Sequence, residues 1–266
     1  MKLKKISPKT NGVRHAIRIC KDLLSKKNNI LKNLNVGLKK HSGRCSITGR
    51  ITVRHLGGGC KNSLQIINFN PKLYNSIVVS IMYDSMRSSF VSLNFDFNTN
   101  TFFKTLATEF VYPGSFVVCS ELKNELNLGD QKRIYNIPPG SIISNIFLKF
   151  NYDKSTYVKS AGTSCQIIQK LSNSCYVRLP SGKVVSISLD SIATLGKISN
   201  HLNNQIVLGK AGINRLLNKR PTVRGIAMNP VDHPHGGRTN GGMPSVTPWG
   251  IPTKGKPTVK KKIVYE

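Results

Sequence analysis

"SCYVRLPSGKVVSISL", residues 174–189, decides the fold class of the chain. Apolar and polar side chains alternate on both sides of "PSGK" (180–183), and Val, Ile, Tyr and Cys occupy the flanks. Alternation puts every second side chain on one face of a pleated strand. Pro and Gly supply the backbone angles of a tight reversal. The stretch therefore reads as a β-hairpin, with strands at 176–179 and 184–189.

Working outward, the same pattern recurs. "TSCQIIQKL" (163–171) and a strand at 142–150 after the "PPG" turn (138–140) precede the hairpin, and "SIATLG" (191–196) follows it. These segments suggest an SH3-like barrel over 119–200. Further upstream stand "RITVRH" (50–55), "LQIINF" (64–69), "SIVVSIMYD" (76–84), "SFVSLNFDF" (89–97) and "TFFKTLAT" (101–108). Short polar turns separate them, and an oligonucleotide-binding-type barrel over 44–118 is the expectation. Residues 1–43 and 201–266 lack a sustained period and read as basic extensions, the second with a short helix in "KAGINRLLNKRP" ended by Pro221. The N-terminal arm cannot bury enough surface to fold alone. The expected class is mainly β, with long basic tails.

Charge narrows the function. The chain carries 40 Lys/Arg against 11 Asp/Glu, a formal net of +29. Residues 1–61 contribute +15, residues 62–200 only +5, and residues 201–266 contribute +9. Self-repulsion on this scale costs compactness unless an anionic partner offsets it. No apolar run approaches the ~20 residues that span a bilayer, and no basic amphipathic helix of useful length is evident, so nucleic acid is favoured over a membrane. The six cysteines form no C-x-x-C pair and read as free thiols in a reducing compartment. "MKLKKISPKTNGVRHAIRIC" (1–20) has no h-region of a secretory signal; it is basic and acid-poor like a transit peptide, yet runs unbroken into the binding segments.

Three stretches carry candidate chemistry. In "RHLGGGCK" (54–61), Gly57, Gly58 and Gly59 allow close backbone approach, flanked by Arg54, His55 and Lys61, with Arg50 just upstream. The choice is between a phosphate contact and a flexible loop with incidental charge; Walker spacing is absent. "LGKAGINRLLNKRPTVRG" (208–225) sets out Lys210, Arg215, Lys219, Arg220 and Arg224 with almost no balancing acid. Such density gains affinity by releasing counterions from phosphates. "TVRGIAMNPVDHPHGG" (222–237) has three readings. A metal site would use Asp232, His233 and His235, but Pro234 intervenes and no further ligand cluster is near. An acid/base dyad of Asp232 and His233 would need a pocket. A strand-like segment that docks Asn229, the two imidazoles and backbone amides into RNA fits the surrounding charge best. Trp249, in "TPWG" (247–250), either stacks on a base or anchors the tail by packing.

Taken together, "RPTVRGIAMNPVDHPHGG" (220–237), "RITVRHLGGGCK" (50–61), "NIPPGS", "SAGT", "LPSGK", "ATLG" and "TPWG" closely resemble the ribosomal protein L-two family, the universal protein two of the large ribosomal subunit. Its P-x-x-R-G-x-x-x-N-P-x-D string falls on Pro221, Arg224, Gly225, Asn229, Pro230 and Asp232. The resemblance runs in register from about residue 7 to 260. It implies an oligonucleotide-binding-type barrel, an SH3-like barrel and long extensions. It also implies binding to large-subunit ribosomal RNA near the peptidyl transferase centre, with roles in assembly, subunit association and tRNA placement. The family's functionally prominent histidine falls on His233. The ribosome's chemistry is attributed to RNA, so the chain is expected to be no enzyme and to need no cofactor, metal or small-molecule substrate. Its expected partners are ribosomal RNA and neighbouring ribosomal proteins, with the small subunit and tRNA met indirectly. Three departures stand out: Cys60 replaces the usual His, "GGRTNGGM" (236–243) replaces a longer glycine run with an acid, and 109–128 is poorly matched. Lys far exceeds Arg, and Asn, Ile, Phe and Ser abound, as an A/T-rich coding sequence produces. That points to a mitochondrial ribosome, with plastid or A/T-rich bacterial origin as the rival. Two other functions remain open at this stage: a metal-dependent nucleic-acid hydrolase and a general nucleic-acid packaging protein.

Overall fold

The computed structural model describes residues 2–22, 24–25, 33–38, 42–68, 74–119, 126–148, 157–239 and 243–255. The basic tail "KPTVKKKIVYE" (256–266) and the middle of the N-terminal arm lie outside the described residues. The chain forms two compact units: residues 1–40 with 60–214, and residues 41–59 with 215–266. Residues 44–59, assigned to the first barrel from sequence, thus cluster with the C-terminal segment.

The first unit is mainly β. Two short strands, β1 (Leu3–Lys5) and β2 (Ile17–Ile19), pair antiparallel, as do β3 (Asn35–Gly37) and β4 (Ser63–Gln65). The expected featureless arm is therefore partly ordered. β1 and β2 are each other's partners, and the arm is also held from outside: Ile17 exchanges backbone bonds with Val207 (3.0 and 3.1 Å), and β3 lies on β4. Sequence period alone misses strands held by such non-local pairing.

The main ladder begins with β5 (Tyr74–Met82), β6 (Val91–Asp96), β7 (Thr101–Leu106) and β8 (Phe116–Cys119). It continues through β9 (Gln131–Arg133), β10 (Ile142–Phe147), β11 (Cys165–Lys170), β12 (Ser174–Arg178), β13 (Val184–Ser188) and β14 (Ile192–Leu195). Among the described residues the order is β13-β12-β11-β10-β14-β9-β8-β5-β6-β7. The one parallel contact, Cys119 opposite Gln131, joins the two halves. The opening hairpin is present as β12 and β13, with Tyr176 opposite Ser186 and Val177 opposite Val185. Gly182 at φ 84° turns the chain, and its N–H donates to the Leu179 carbonyl at 2.9 Å.

Each half has its own core. Ile134, Ile137, Ile143, Ile146, Ile167, Val177 and Ile187 fill one; Tyr74, Val78, Ile81, Phe90, Val111 and Val117 fill the other. Each such side chain contributes roughly 1.5–3 kcal/mol by leaving water. Cys165 belongs to the first of these cores; burial pushes its thiol up to about 12, so it packs as a small apolar group.

Two expected elements differ. "RITVRH" is not a strand: only Ile51 pairs, with Arg44, and the amides of Thr52 and Val53 fold back onto the Gly43 carbonyl. Alternation was present, but Ile51 and Val53 remain 47% and 45% exposed, because no sheet lies there to bury them. The helix, α1 (Ala211–Leu216), ends before Pro221. Asn218, left-handed at φ 68°, donates its N–H to the Arg215 carbonyl at 3.1 Å and reverses the chain.

Asp96 pins the β6–β7 turn. It accepts the Asn98 and Asn75 amides at 3.1 and 3.3 Å and the Thr99 hydroxyl at 2.7 Å. Desolvation works against its charge, but these bonds, the Thr99 hydroxyl foremost, prevail and hold the carboxyl below its ordinary value. Asp96→Ala should cost about 2 kcal/mol in urea unfolding of the free chain near neutral pH. A lowered folded pKa means that the contribution is present above the unfolded value of 3.8 and is lost as pH falls through the folded one. The gap between wild type and variant should therefore shrink below that point, and a pH-independent gap would contradict the assignment.

Candidate nucleic-acid interface

The second unit is built by crossing two segments that lie far apart in sequence. The Gly57 N–H donates to the Asn218 carbonyl at 3.2 Å, and the Arg220 N–H donates to the His55 carbonyl at 2.8 Å. Leu56 forms a bridge with Lys219, and the Thr222 hydroxyl lies 3.3 Å from His55 Nδ1. A Cβ on Gly59, at φ 90°, would come within 2.8 Å of the Asn218 nitrogen, and one on Gly57 within 3.1 Å of Arg220 Cδ. The glycine run thus lets one chain lie on another. The Gly57 amide is committed to Asn218, so this glycine acts as a crossing point and does not offer its N–H to an anion.

Residues 224–237 form a self-packed knob of successive turns, where the sequence suggested an extended segment. The Ala227, Met228, Asp232 and Gly236 amides donate to the carbonyls of Arg224, Gly225, Asn229 and His233 at 2.9–3.1 Å, and Gly237 N–H closes onto Met228 at 3.1 Å. Pro230 and Pro234 preset the turning backbone, and the glycines remove obstructing side chains. A Cβ on Gly225 would stand 2.6–2.7 Å from the His233 ring, and one on Gly236 would stand 2.3 Å from the Asn229 carbonyl oxygen. No side chain larger than hydrogen fits at either place.

His233 is the centre of the knob, 8% exposed. Its Nδ1 accepts the His235 N–H at 3.0 Å, which requires the ring to be unprotonated at that nitrogen. His235 lies 4.6 Å away, ring centre to ring centre, and its Nε2 is 2.9 Å from the Pro244 carbonyl, a contact that needs an N–H donor. Desolvation first, then the positive charges of His235 and Arg54, hold the His233 pKa below its ordinary value. A buried neutral imidazole replaces the groove-docking ring expected from sequence. Among the described residues, no three His, Cys, Asp or Glu groups converge as a metal site requires.

Around this framework stand Arg44, Arg50, Arg54, Arg215, Lys219, Arg220, Arg224, Arg238 and Lys254, all exposed. Asp232 is the one carboxylate among the described residues of the unit. No ion pair among the described residues neutralises these cations. Several lean on neutral acceptors: Arg54 on Met228 sulfur (3.8 Å), Arg44 on the Gly49 carbonyl (2.9 Å) and Arg215 on the Lys219 carbonyl (3.3 Å). Trp249 projects from a turn closed by Thr247 N–H to the Ile251 carbonyl (2.8 Å) and is 73% exposed. Such exposure opposes the reading of Trp249 as a packing anchor.

Of the residues singled out from sequence, Arg50, Arg54, His55, Gly57, Gly58, Gly59, Arg215, Lys219, Arg220, Arg224, Asn229, His233 and His235 fall in this unit. Lys61 and Lys210 fall in the first, where the Lys210 stem lies over Gly12. Sequence reasoning missed Arg44, Arg238 and Lys254. Their signal was the near absence of acid in both segments rather than any motif.

Residues 31–119 match the family model described as "Ribosomal Proteins L2, RNA binding N-terminal domain". Residues 127–250 match "Ribosomal Proteins L2, C-terminal domain". The chain is 44% identical to "Large ribosomal subunit protein uL2m" of Reclinomonas americana over 98% of its own length and 95% of that protein. It is 40% identical to "Large ribosomal subunit protein uL2" of Rickettsia felis and 39% identical to that of Rickettsia prowazekii, in each case over 98% of this chain and 96% of the relative.

Gly225→Ala should push the His233 ring aside and cost about 1–3 kcal/mol of local stability. Limited proteolysis should then cut within 224–237 while the sheet of the first unit melts unchanged; intact protection would refute the packing. For His233 the pKa is depressed, so its contribution is present above the unfolded value of 6.5 and fades as pH falls through the folded one. Amide exchange at His235 should accelerate on that descent, and in a His233→Ala variant it should be fast at every pH.

Proposed function

The chain belongs to the ribosomal protein L2 family, and on that premise we propose that its second unit holds large-subunit ribosomal RNA near the peptidyl transferase centre. The chain itself is a large-subunit ribosomal protein. One observation carries the RNA reading: exposed cations surround a glycine-packed knob, with Asp232 the single carboxylate among the described residues of the unit. Phosphates supply the missing negative charge, and each contact releases condensed counterions. Arg50, Arg54, Arg215, Lys219, Arg220 and Arg224 serve as the second unit's phosphate ligands; Lys61 and Lys210, in the first unit, are phosphate ligands of that unit. His55, Asn229 and His235 meet the RNA through polar edges, and Gly57, Gly58 and Gly59 keep the chain thin where it approaches. His233 acts from within, by fixing the knob. Trp249 stacks on an unpaired base.

Assembly of the subunit, subunit association and tRNA placement follow from such a position. Neighbouring ribosomal proteins are further partners. The site of action is the mitochondrial ribosome, a reading supported by the uL2m relative and by the A/T-type composition; the Rickettsia relatives favour the bacterial alternative. We assign the chain no chemistry of its own. The hydrolase reading is weakened because one ring nitrogen of each knob histidine is already bonded to backbone, and Asp232 faces solvent.

Two variants separate the contributions on a large-subunit RNA fragment. Lys219→Gln with Arg224→Gln should weaken binding and reduce the slope of log affinity against log salt by about one to two. Trp249→Ala should weaken it by about 1–3 kcal/mol at unchanged slope. Duplex DNA competing as well as the RNA would favour a packaging protein instead. The wild-type chain should stay with large subunits through a high-salt wash of mitochondria, and release there would count against the placement.

A further inference from the structure

The second unit carries a small hairpin, residues 43–53, with an apolar side chain at its tip. The Cys45 N–H donates to the Arg50 carbonyl at 2.8 Å, the Gly49 N–H donates to the Cys45 carbonyl at 3.0 Å, and Arg44 stands opposite Ile51. Gly49, at φ 65°, closes the loop "SITG" (46–49). The stem is rooted at buried Gly43, whose carbonyl accepts the Thr52 and Val53 amides at 2.8 and 3.0 Å. A Cβ on Gly43 would stand 2.3 Å from the Val53 oxygen. At the tip, the Thr48 amide and hydroxyl and the Ile47 amide turn inward onto the Cys45 sulfur and hold its thiol below the ordinary value. The Ile47 side chain stays outside, 92% exposed, the highest value among the described large apolar residues.

Single exposed aliphatic residues are ordinary on protein surfaces. This one is set apart by its neighbours. Residues 42–59 hold Arg44, Arg50 and Arg54, all exposed, and no acid. Arg50 stands across from Cys45, the residue after Arg44, so alternation along the stem sends Arg44 and Arg50 to opposite faces. One cation thus leaves each face just below the tip. Arg44 spends an N–H on the Gly49 carbonyl at 2.9 Å, and a guanidinium carries five.

These surroundings decide the partner. The core of a protein interface is depleted of charge, and a stable one covers about 800 Å² on each side. One aliphatic side chain between two cations offers neither. A nucleic acid supplies phosphates for both arginines and, between them, the apolar faces of its bases. Proteins that deform nucleic acid pair Arg or Lys with an Ile, Leu or Phe wedged between base steps. In RNA the insertion costs least at loops and bulges, where bases are already unstacked. Ser46, Thr48 and Gly49 are small, so Ile47 leads a narrow tip.

We propose that Ile47 is a wedge that inserts between two bases at an unstacked step of large-subunit ribosomal RNA, with Arg44 and Arg50 holding the phosphates on either side. The proposal rests on the RNA reading of this unit. The full chain bound to a large-subunit RNA transcript tests it. Ile47→p-benzoylphenylalanine, on irradiation, should crosslink to one or two adjacent nucleotides. 2-Aminopurine placed at that step should brighten when the wild-type chain binds and stay dim with Ile47→Ala. That variant should bind about tenfold more weakly at an unchanged salt slope, while Ile47→Leu keeps the affinity. Arg44→Gln with Arg50→Gln should instead lower the slope by about one to two. Ile47→Ala binding as tightly as wild type, crosslinks scattered over the RNA or formed with a second copy of this chain, or brightening that persists without Ile47 would overturn the wedge and leave the RNA reading standing. A wild-type chain that fails to bind the transcript would sink both.

Discussion

Like-charge repulsion is the constraint against which the second unit is built. Two cations 4 Å apart repel by about 1 kcal/mol in water and about 4 kcal/mol near a protein surface. Among the described residues of this unit, cations outnumber acids by nine to one, so they gain little from ion pairs. Cohesion comes instead from neutral contacts: the crossing at Gly57 and Asn218, the turn bonds of 224–237, and backbone packed against backbone where no Cβ fits. The charges stay outermost, where water screens them most. An RNA backbone would turn the same arrangement from a liability into an attraction.

The first unit solves a different problem. Its charge is moderate, and its stability rests on isoleucine- and valine-rich cores on the two sides of the Cys119–Gln131 contact. It also orders parts of the N-terminal arm by lending it strand partners. Lys104 shows how far this goes: a buried lysine is tolerated because its ammonium donates hydrogen bonds to two oxygens of the arm. Burial of that amine lowers its pKa, against the opposing charge of Asp84.

Strands that close on sequence neighbours were legible, and those that pair at a distance were not. The 174–189 hairpin and the strands from Tyr74 to Leu106 follow from alternation and turn residues. β1 to β3 carry no such pattern: β1 and β2 meet only across residues 6–16, and β3 pairs with β4, which opens the expected strand "LQIINF". "RITVRH" had the pattern without a sheet to join. In the interface, the residue types were readable and their arrangement was not. Nothing in "RHLGGGCK" indicates that its glycines make room for residues 215–220, since close approach leaves no mark on composition. Likewise, "DHPHGG" suggested presented imidazoles, whereas Gly225 reveals that one of them is enclosed.

Why a histidine should occupy the centre of the knob follows from that enclosure. Phenylalanine would fill a similar volume and stack on Gly225, but it would leave the His235 amide without an acceptor inside the turn, at a cost of about 1–3 kcal/mol. Asparagine or aspartate could accept the amide but lacks the flat breadth that lies against the Gly225 backbone, and aspartate would bury a charge. Lysine or arginine would add another cation to a crowded set. Imidazole combines an acceptor nitrogen, a planar body and neutrality. Desolvation first, and then the nearby His235 and Arg54, disfavour a proton on His233 and keep it in the one form the turn can use. The cationic surroundings that strain the unit thus add to the desolvation that disfavours a proton on its central residue.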